Sequence, residues 1–249
     1  MKVDVQPDLF WEDQNRTSNA SALAEFFEVR EVSQTEALQG TNDPSTLFRG
    51  SLSMAQRRLR PYDFCNALRW LPAFRRSCVN PDAYFTDAFD ILHNKFKDSL
   101  NLYIRPTSPF KEFAGQVFNK WSFEKEINYL KQNKNIRAEE IVCVVSSPKN
   151  IYKEYRNVFV DKKFVGSSLY MERDELKVEA GAPNSVVEFA EWVGASRFLS
   201  GELDYVIDVG VMEGGRLALV ELNGFETSSF YACDLRSIFS AWRKSFDVG

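Results

Sequence analysis

Apolar and polar positions fall into a regular order from Leu100 onward. Leu100 to Ile104 predicts a short strand. It runs into Arg105-Pro106-Thr107-Ser108-Pro109-Phe110-Lys111, which two prolines bar from being a helix. Ser122 to Gln132 predicts a helix, and Ile141 to Val145 a strand stopped by Ser146-Ser147-Pro148. Tyr155 to Tyr170 predicts a hairpin turning at Asp161-Lys162. Val186, Phe189, Ala190 and Val193 recur at helical spacing ahead of Gly194, as do Leu235, Ile238, Phe239 and Trp242 near the end. Strands and helices alternate, which predicts an α+β arrangement. The first 45 residues are polar and turn-rich; Gly40 to Pro44 predicts a loop and Ala22 to Val29 a short helix.

The most informative stretch is Asp204 to Asn223. Two β-rich runs flank Gly214-Gly215, and a glycine pair supplies the positive φ angles of a two-residue hairpin turn. That turn sets Asp208 opposite Glu221 and Val206 opposite Asn223, and side-chain alternation points all four to one face. Met212, Leu217 and Leu219 are expected on the same face, with Ile207, Val209, Val211, Ala218, Val220 and Leu222 forming the core behind it. Facing carboxylates repel, and apolar neighbours remove the water that would screen them. A shared cation resolves the conflict, and oxygen donors without thiolate or imidazole point to magnesium, which commonly sits between protein carboxylates and substrate phosphates. The bland alternative is a register one residue off, set by a three-residue loop, with the acids facing solvent.

The 249 residues carry a net charge of −4, with 44% hydrophobic and 27% charged positions, an ordinary globular composition that excludes collagen-like and largely disordered readings. The sequence has neither an apolar run of membrane-spanning length nor a signal-like start, so a cytoplasmic protein is expected. The four cysteines, Cys65, Cys78, Cys143 and Cys233, form no C-x-x-C pair and are expected to be buried thiols; the single histidine, His93, is a poor basis for a zinc site or a nucleophile triad. Between Arg49 and Cys78, Arg49, Arg57, Arg58, Arg60, Arg69, Arg75 and Arg76 stand against one acid, Asp63. A solvated surface is the favoured reading of this run and an anion-binding patch the other.

A magnesium site asks for a phosphate ligand. Neither G-x-x-x-x-G-K-[ST] nor G-x-G-x-x-G occurs, which excludes a Walker-type ATPase and a typical dinucleotide fold. The remaining phosphate-binding candidates are cations on strands and loops: Arg105, Lys111, Lys149 and Arg156.

Asp208, Glu221 and Asn223 resemble the D…E-x-N magnesium signature of ATP-grasp ligases. The C-terminal 150 or so residues are similar to the clade of that superfamily named after an arginine and two lysines, common in phage and bacterial genomes. The matching stretches are Ile104-Arg105-Pro106 with Lys111 to Gly115, Ser146 to Lys149, Glu154-Tyr155-Arg156 with Val158 to Asp161, Ser167 to Tyr170, and Glu221-Leu222-Asn223 with Phe230 to Asp234. Asn80 to Phe85 and Leu92 to Asn94 extend the likeness upstream. The resemblance implies an ATP-grasp fold, two α+β lobes gripping ATP, over residues 99–249, preceded by a smaller N-terminal region, 1–98. It implies ATP and magnesium as cofactors, with the metal on Asp208, Glu221 and Asn223. By the same likeness Arg105 replaces the usual first ATP lysine, Lys111 reaches the phosphates, and Ser146 sits at the hinge whose backbone reads adenine. Lys149 and Arg156 become phosphate or acyl-phosphate contacts, and Glu154 a ribose or hinge partner. The loop after Arg105 departs from the glycine-rich flap of many relatives, which implies a stiffer closure or other backbone donors.

The implied reaction joins a small-molecule or peptide carboxylate to an amine through an acyl-phosphate, with Arg105, Lys111 and Arg156 offsetting the charge of the moving phosphoryl group. Two other readings stand beside it. One is an ATP-grasp kinase. The other is a nucleic-acid or protein-binding module with a vestigial ATP site, using the Arg49 to Arg76 run, a less favoured partner surface.

Overall fold

The structure, a computed structural model, describes residues 1–6, 18–39, 46–57, 62–96 and 100–247. The expected loop at Gly40 to Pro44, Arg58, Arg60 and the side chain of Arg57 lie outside the described residues. Contacts divide the chain into two compact units, residues 1–62 with 151–249, and residues 63–150.

In chain order, the first unit begins with β1 (Lys2–Val5), α1 (Ser18–Ala24), β2 (Glu28–Glu31), α2 (Gln34–Gln39), β3 (Leu47–Arg49) and α3 (Leu52–Arg57). The three strands form a parallel sheet in the order β2-β1-β3. The helix expected over Ala22 to Val29 therefore ends at Ala24, and Val29 belongs to a strand. Its neighbours Glu28 and Arg30 alternate with Val29 beside β1, and Arg30 forks onto the buried Asp4 carboxylate at 2.8 and 2.7 Å. A local helical reading could not anticipate that long-range pairing.

The second unit holds α4 (Ala67–Ala73), β4 (Tyr84–Asp87), α5 (Ala88–Asp90) continuing into a π-helical turn (Ile91–Lys95), β5 (Leu102–Pro106), β6 (Gln116–Phe118), α6 (Lys120–Lys134) and β7 (Val142–Ser146). The antiparallel order is β4-β7-β5-β6. β5 has the expected length but lies two residues later than expected, because Arg105 and Pro106 still pair with Val144 and Cys143 of β7. The core gathers Ile104, Phe113, Phe118, Phe123, Ile127 and Val145. Asn119 and Ser122 cap α6 reciprocally, satisfying two backbone donors at its start.

The chain returns to the first unit with β8 (Ile151–Val160), β9 (Lys163–Glu172), β10 (Glu175–Ala180), α7 (Asn184–Gly194), β11 (Tyr205–Met212), β12 (Leu217–Gly224) and α8 (Leu235–Ser245). Its antiparallel sheet runs β10-β9-β8-β11-β12. The β8–β9 hairpin turns at Asp161 and Lys162, as expected, both at positive φ. Val3, Val5, Leu23, Phe27, Val158, Val206, Phe225, Phe230, Ile238, Phe239 and Trp242 make one core, so the N-terminal segment and α8 are packed into the body of this unit. All four cysteines are buried and outside any disulfide, and no helix among the described residues is long and apolar enough to cross a membrane.

Asp204, just ahead of β11, accepts hydrogen bonds from the Asp161 backbone N–H at 3.0 Å and Trp242 Nε1 at 3.1 Å. Burial dominates over these bonds and raises its pKa from 3.8 to about 6. The folded state therefore holds this proton more tightly than the unfolded chain. That contribution to stability is complete below about pH 4 and is lost as pH rises through about 6. Relative to Asp204→Asn, the wild-type chain is expected to lose on the order of 2–3 kcal/mol of stability between pH 4 and pH 7. Denaturant midpoints of both proteins across that range check this; a constant difference contradicts it.

Candidate functional site

The hairpin that carries the acids does not turn as a two-residue loop. Glu213 to Gly215 form a single 3₁₀ turn between Met212 and Arg216, with Gly214 and Gly215 both near φ +82°, a conformation glycine adopts without cost. A three-residue turn alone would shift every later pair by one. The shift ends at a bulge: Val209 pairs with Leu219, Asp208 pairs with Glu221, and Val220 is the extra residue. Asp208 is thus opposite Glu221, and Val206 opposite Asn223, as expected. The expected apolar neighbours are corrected by the same bulge. Leu217 and Leu219 pair with Val211 and Val209 on the other face, and Ala218 and Gly210 flank the acids instead.

On the other side of β11, Asp208 pairs with Arg156 and Gly210 with Glu154 of β8. Ser168, Arg156, Asp208 and Glu221 therefore form one row across β9, β8, β11 and β12. Arg156 donates from Nε to Asp208 Oδ1 at 2.9 Å and from Nη2 to Oδ2 at 2.8 Å, and its Nη1 donates to the Ser229 carbonyl at 2.8 Å. Asn223 Nδ2 donates to Asp208 Oδ2 at 2.9 Å. The two charged side chains are 10% and 2% exposed, so the pair is a buried one. Burial works against the Arg156 charge, but the Asp208 carboxylate outweighs it and holds the guanidinium pKa above its ordinary value. Tyr170 and Tyr231 stack with centroids 5.0 Å apart, and the guanidinium lies 5.3 and 4.9 Å from their centroids. Tyr170 also donates its hydroxyl to Glu154. Burial, then the like charges of Asp208, Asp174 and Glu221, raise Glu154 to about 7 in spite of that bond.

These residues fit a hard cation. Three of the roughly four lone-pair directions of the Asp208 carboxylate are taken by Arg156 and Asn223. Glu221 stands opposite it, and the Asn223 amide, which points its nitrogen at Asp208, presents oxygen as its other end. Two carboxylates and an amide oxygen, with no thiolate or imidazole among them, are the donor types that suit a hard cation such as magnesium. Among the described residues no cluster of three or more His, Cys, Asp or Glu side chains forms an all-protein metal cage.

The other expected contacts belong to the second unit. Arg105 is buried on β5, its guanidinium 5.9 Å from the Trp70 ring centroid. Ser146, the buried last residue of β7, pairs with Tyr103, two positions before Arg105, so Arg105 and Ser146 share a sheet face on adjacent strands. Lys111 is exposed in the loop after β5, at φ +49°. Lys149 is ion-paired with Asp82 at 2.7 Å and bonded to Ser147. Asp82 also accepts from Ser147 Oγ at 2.6 Å and the Ser147 N–H at 3.1 Å. Burial would raise the Asp82 pKa, but these bonds prevail and bring it down to about 2. Asp82 thus ties Lys149 to Ser147, a role no local motif signalled.

The described members of the arginine run differ in their surroundings. Arg49 is fully buried, Arg69 pairs with Asp63 at 2.7 Å, and Arg75 donates to the carbonyls of Pro81 and Ala83. Arg49 thus departs from the expected solvated face, while Arg69, Arg75 and Arg76 are exposed as that reading expects. His93 is exposed and packs against Phe89.

Residues 85–240 match the family of ATP-grasp domains designated R2K clade family 2. The chain belongs to the ATP-grasp superfamily. Solved structures agree on the fold. The D-cycloserine synthetase DcsG matches over 98% of this chain and 99% of its own, at TM-score 0.61 and 12% identity. A RimK-domain ATP-grasp protein from Sphaerobacter thermophilus matches over the full length of both chains at 0.61 and 13%. The D-alanine–D-alanine ligase of Bacillus anthracis, solved with ATP, matches over 90% of this chain and 86% of its own at 0.55 and 12%. A search of curated proteins finds no match. In this ATP-grasp chain the D…E-x-N residues lie on β11 and β12, inside the matched segment.

Proposed function

We propose that this ATP-grasp protein is an ATP-dependent ligase that joins a carboxylate to an amine through an acyl-phosphate. The observation that supports it most is the row Arg156, Asp208 and Glu221 with Asn223 alongside: a buried, permanently charged guanidinium next to donor types that suit a hard cation. A carboxylate oxygen of the substrate attacks the γ-phosphorus, ADP leaves, and the amine nitrogen then displaces phosphate from the acyl carbon. Magnesium on Asp208, Glu221 and Asn223 supplies neutralisation of the phosphate charge when bound.

Each residue of the chain has a part that its environment supports. Arg156 is held on three acceptors and needs no reorganisation to oppose the charge that builds on the transferring phosphoryl group. Arg105 and Lys111 are proposed as further phosphate contacts and Lys149 as a fourth. Ser146 is proposed to read adenine through its backbone. Glu154, with its pKa near 7, can donate to or accept from a ribose hydroxyl at neutral pH. The D-alanine–D-alanine ligase, similar in fold, is named for joining two amino acids, which favours small or peptide-like carboxylates and amines as the substrate class.

Hydroxylamine trapping tests the reading. With Mg-ATP and a panel of amino acids and short peptides, hydroxylamine captures an acyl-phosphate as a hydroxamate while ADP accumulates in equal amount. ADP with a phosphate ester and no hydroxamate would identify a kinase. No ADP with any carboxylate would overturn nucleotide-driven chemistry altogether.

A further inference from the structure

Among the described residues Arg49 is the largest charged side chain that is fully buried, and the reaction outlined above does not use it. It stands at the end of β3, far in sequence from the metal-binding candidates, yet its contacts are with the segment that follows them. Nη1 donates to the Phe225 carbonyl at 3.0 Å and Nη2 to the Ser228 carbonyl at 2.8 Å. The guanidinium lies 3.8 Å from the Phe230 ring centroid, and Nε faces Asn19 Oδ1 at 3.4 Å. One planar fork thus ties two carbonyls of the 225–228 turn and stacks on the ring two residues further on, a geometry an ammonium cannot reproduce.

Neighbours of Arg49 grip the same turn. The Gly50 N–H donates to the Glu226 carbonyl at 3.0 Å, and the Tyr62 hydroxyl to Glu226 Oε2 at 2.9 Å. The Tyr62 ring lies so close to Gly224 that a Cβ there would meet ring carbons at 2.4 to 2.8 Å, so the turn can start at this place only from a glycine. Arg49, Gly50 and Tyr62 therefore seat the turn that leaves Asn223. The next carbonyl, Ser229, is the third acceptor of Arg156, and Tyr231 two residues later stacks on Tyr170 under the same guanidinium. A connected path of bonds runs from Arg49 through Ser228 and Ser229 to Arg156 and Asp208.

We propose that Arg49 is a positioning residue for the phosphoryl-binding arginine: it fixes the 225–229 turn so that the Ser229 carbonyl holds Arg156 in its working orientation. The inference rests on the ligase reading, in which Arg156 meets the γ-phosphoryl group. A fixed Arg156 then matters for nucleotides carrying a γ-phosphate and hardly at all for ADP. A merely structural Arg49 predicts no such discrimination.

Arg49→Met keeps the stem packed on Phe230 and removes the donors. Calorimetry with Mg-AMPPNP and Mg-ADP, well below the melting temperature, is expected to show roughly tenfold weaker AMPPNP binding and ADP binding within about twofold of wild type. Arg49→Lys, which can reach one carbonyl, is expected to lie between. Equal weakening of both nucleotides, or no change in either, overturns the inference alone. Wild-type protein that binds neither nucleotide overturns the ATP reading and the inference with it. If the variants do not fold, hydrogen exchange on the wild-type chain decides. Mg-AMPPNP is expected to slow exchange across 225–231 more than Mg-ADP does, and identical protection by the two contradicts the inference.

Discussion

Glu221→Gln is expected to abolish ATP turnover by this protein, by about 100-fold or more, while leaving its melting temperature unchanged or slightly raised. The reason is the ladder. Glu221 faces Asp208 directly, and like charges at paired positions cost stability, so an isosteric neutral amide relieves repulsion as it removes the proposed cation ligand. Asp208→Asn is expected to lose turnover as well, but at a cost in stability, because Asp208 is the double acceptor of a buried arginine. The two variants together separate the ligand role from the folding role. Full ATP-dependent activity in either would remove that residue from the metal site.

Arg156→Met carries the second large effect. The substitution leaves the Asp208 carboxylate, 2% exposed, with Asn223 as its remaining partner described above and takes the Ser229 carbonyl's donor away. Removing one partner of a buried ion pair typically costs 3–5 kcal/mol, against about 0–1 kcal/mol for a surface pair such as Arg69–Asp63. For a chain of this size that is a fall of roughly 10 °C in melting temperature. Arg156→Lys should recover the charge but not the fork, and so only part of the stability. A melting temperature within a degree or two of wild type for Arg156→Met would show that the pair is not the buried constraint its geometry indicates. The surface variant Arg69→Ala, expected to shift the midpoint by little, is the internal control.

Much of this was legible along the chain, and the limits have physical causes. Period-two alternation and the glycine pair placed Asp208 opposite Glu221 because both features act within twenty or so residues. The turn itself is one residue longer than the glycine pair predicts, and the pairing survives because a bulge at Val220 compensates. A bulge leaves no mark in a run such as Leu217 to Leu222, where every position is apolar save the acid. Asp161-Lys162 was readable as a turn, since a two-residue connection between matched strands leaves few alternatives.

What could not be read depends on tertiary partners. Arg49 belongs by composition to a basic run, and only the fold shows it buried beneath Phe230 on two carbonyls some 180 residues away. Asp82 lay in a stretch that resembled the family, but its hold on Lys149 spans 67 positions. The first unit is built from both ends of the chain, with residues 63–150 between them, an arrangement that hydrophobic periodicity does not encode. Val29 went to a strand for the same reason: its partner is Val3.

The most direct test of the central claim is calorimetric titration of AMPPNP into the wild-type chain in magnesium and again in excess EDTA. Asp208, Glu221 and Asn223 acting as a cation shell require binding at least about tenfold tighter with magnesium, and loss of that difference in Glu221→Gln. Equal affinity in both buffers, or a magnesium effect that survives the substitution, would contradict it.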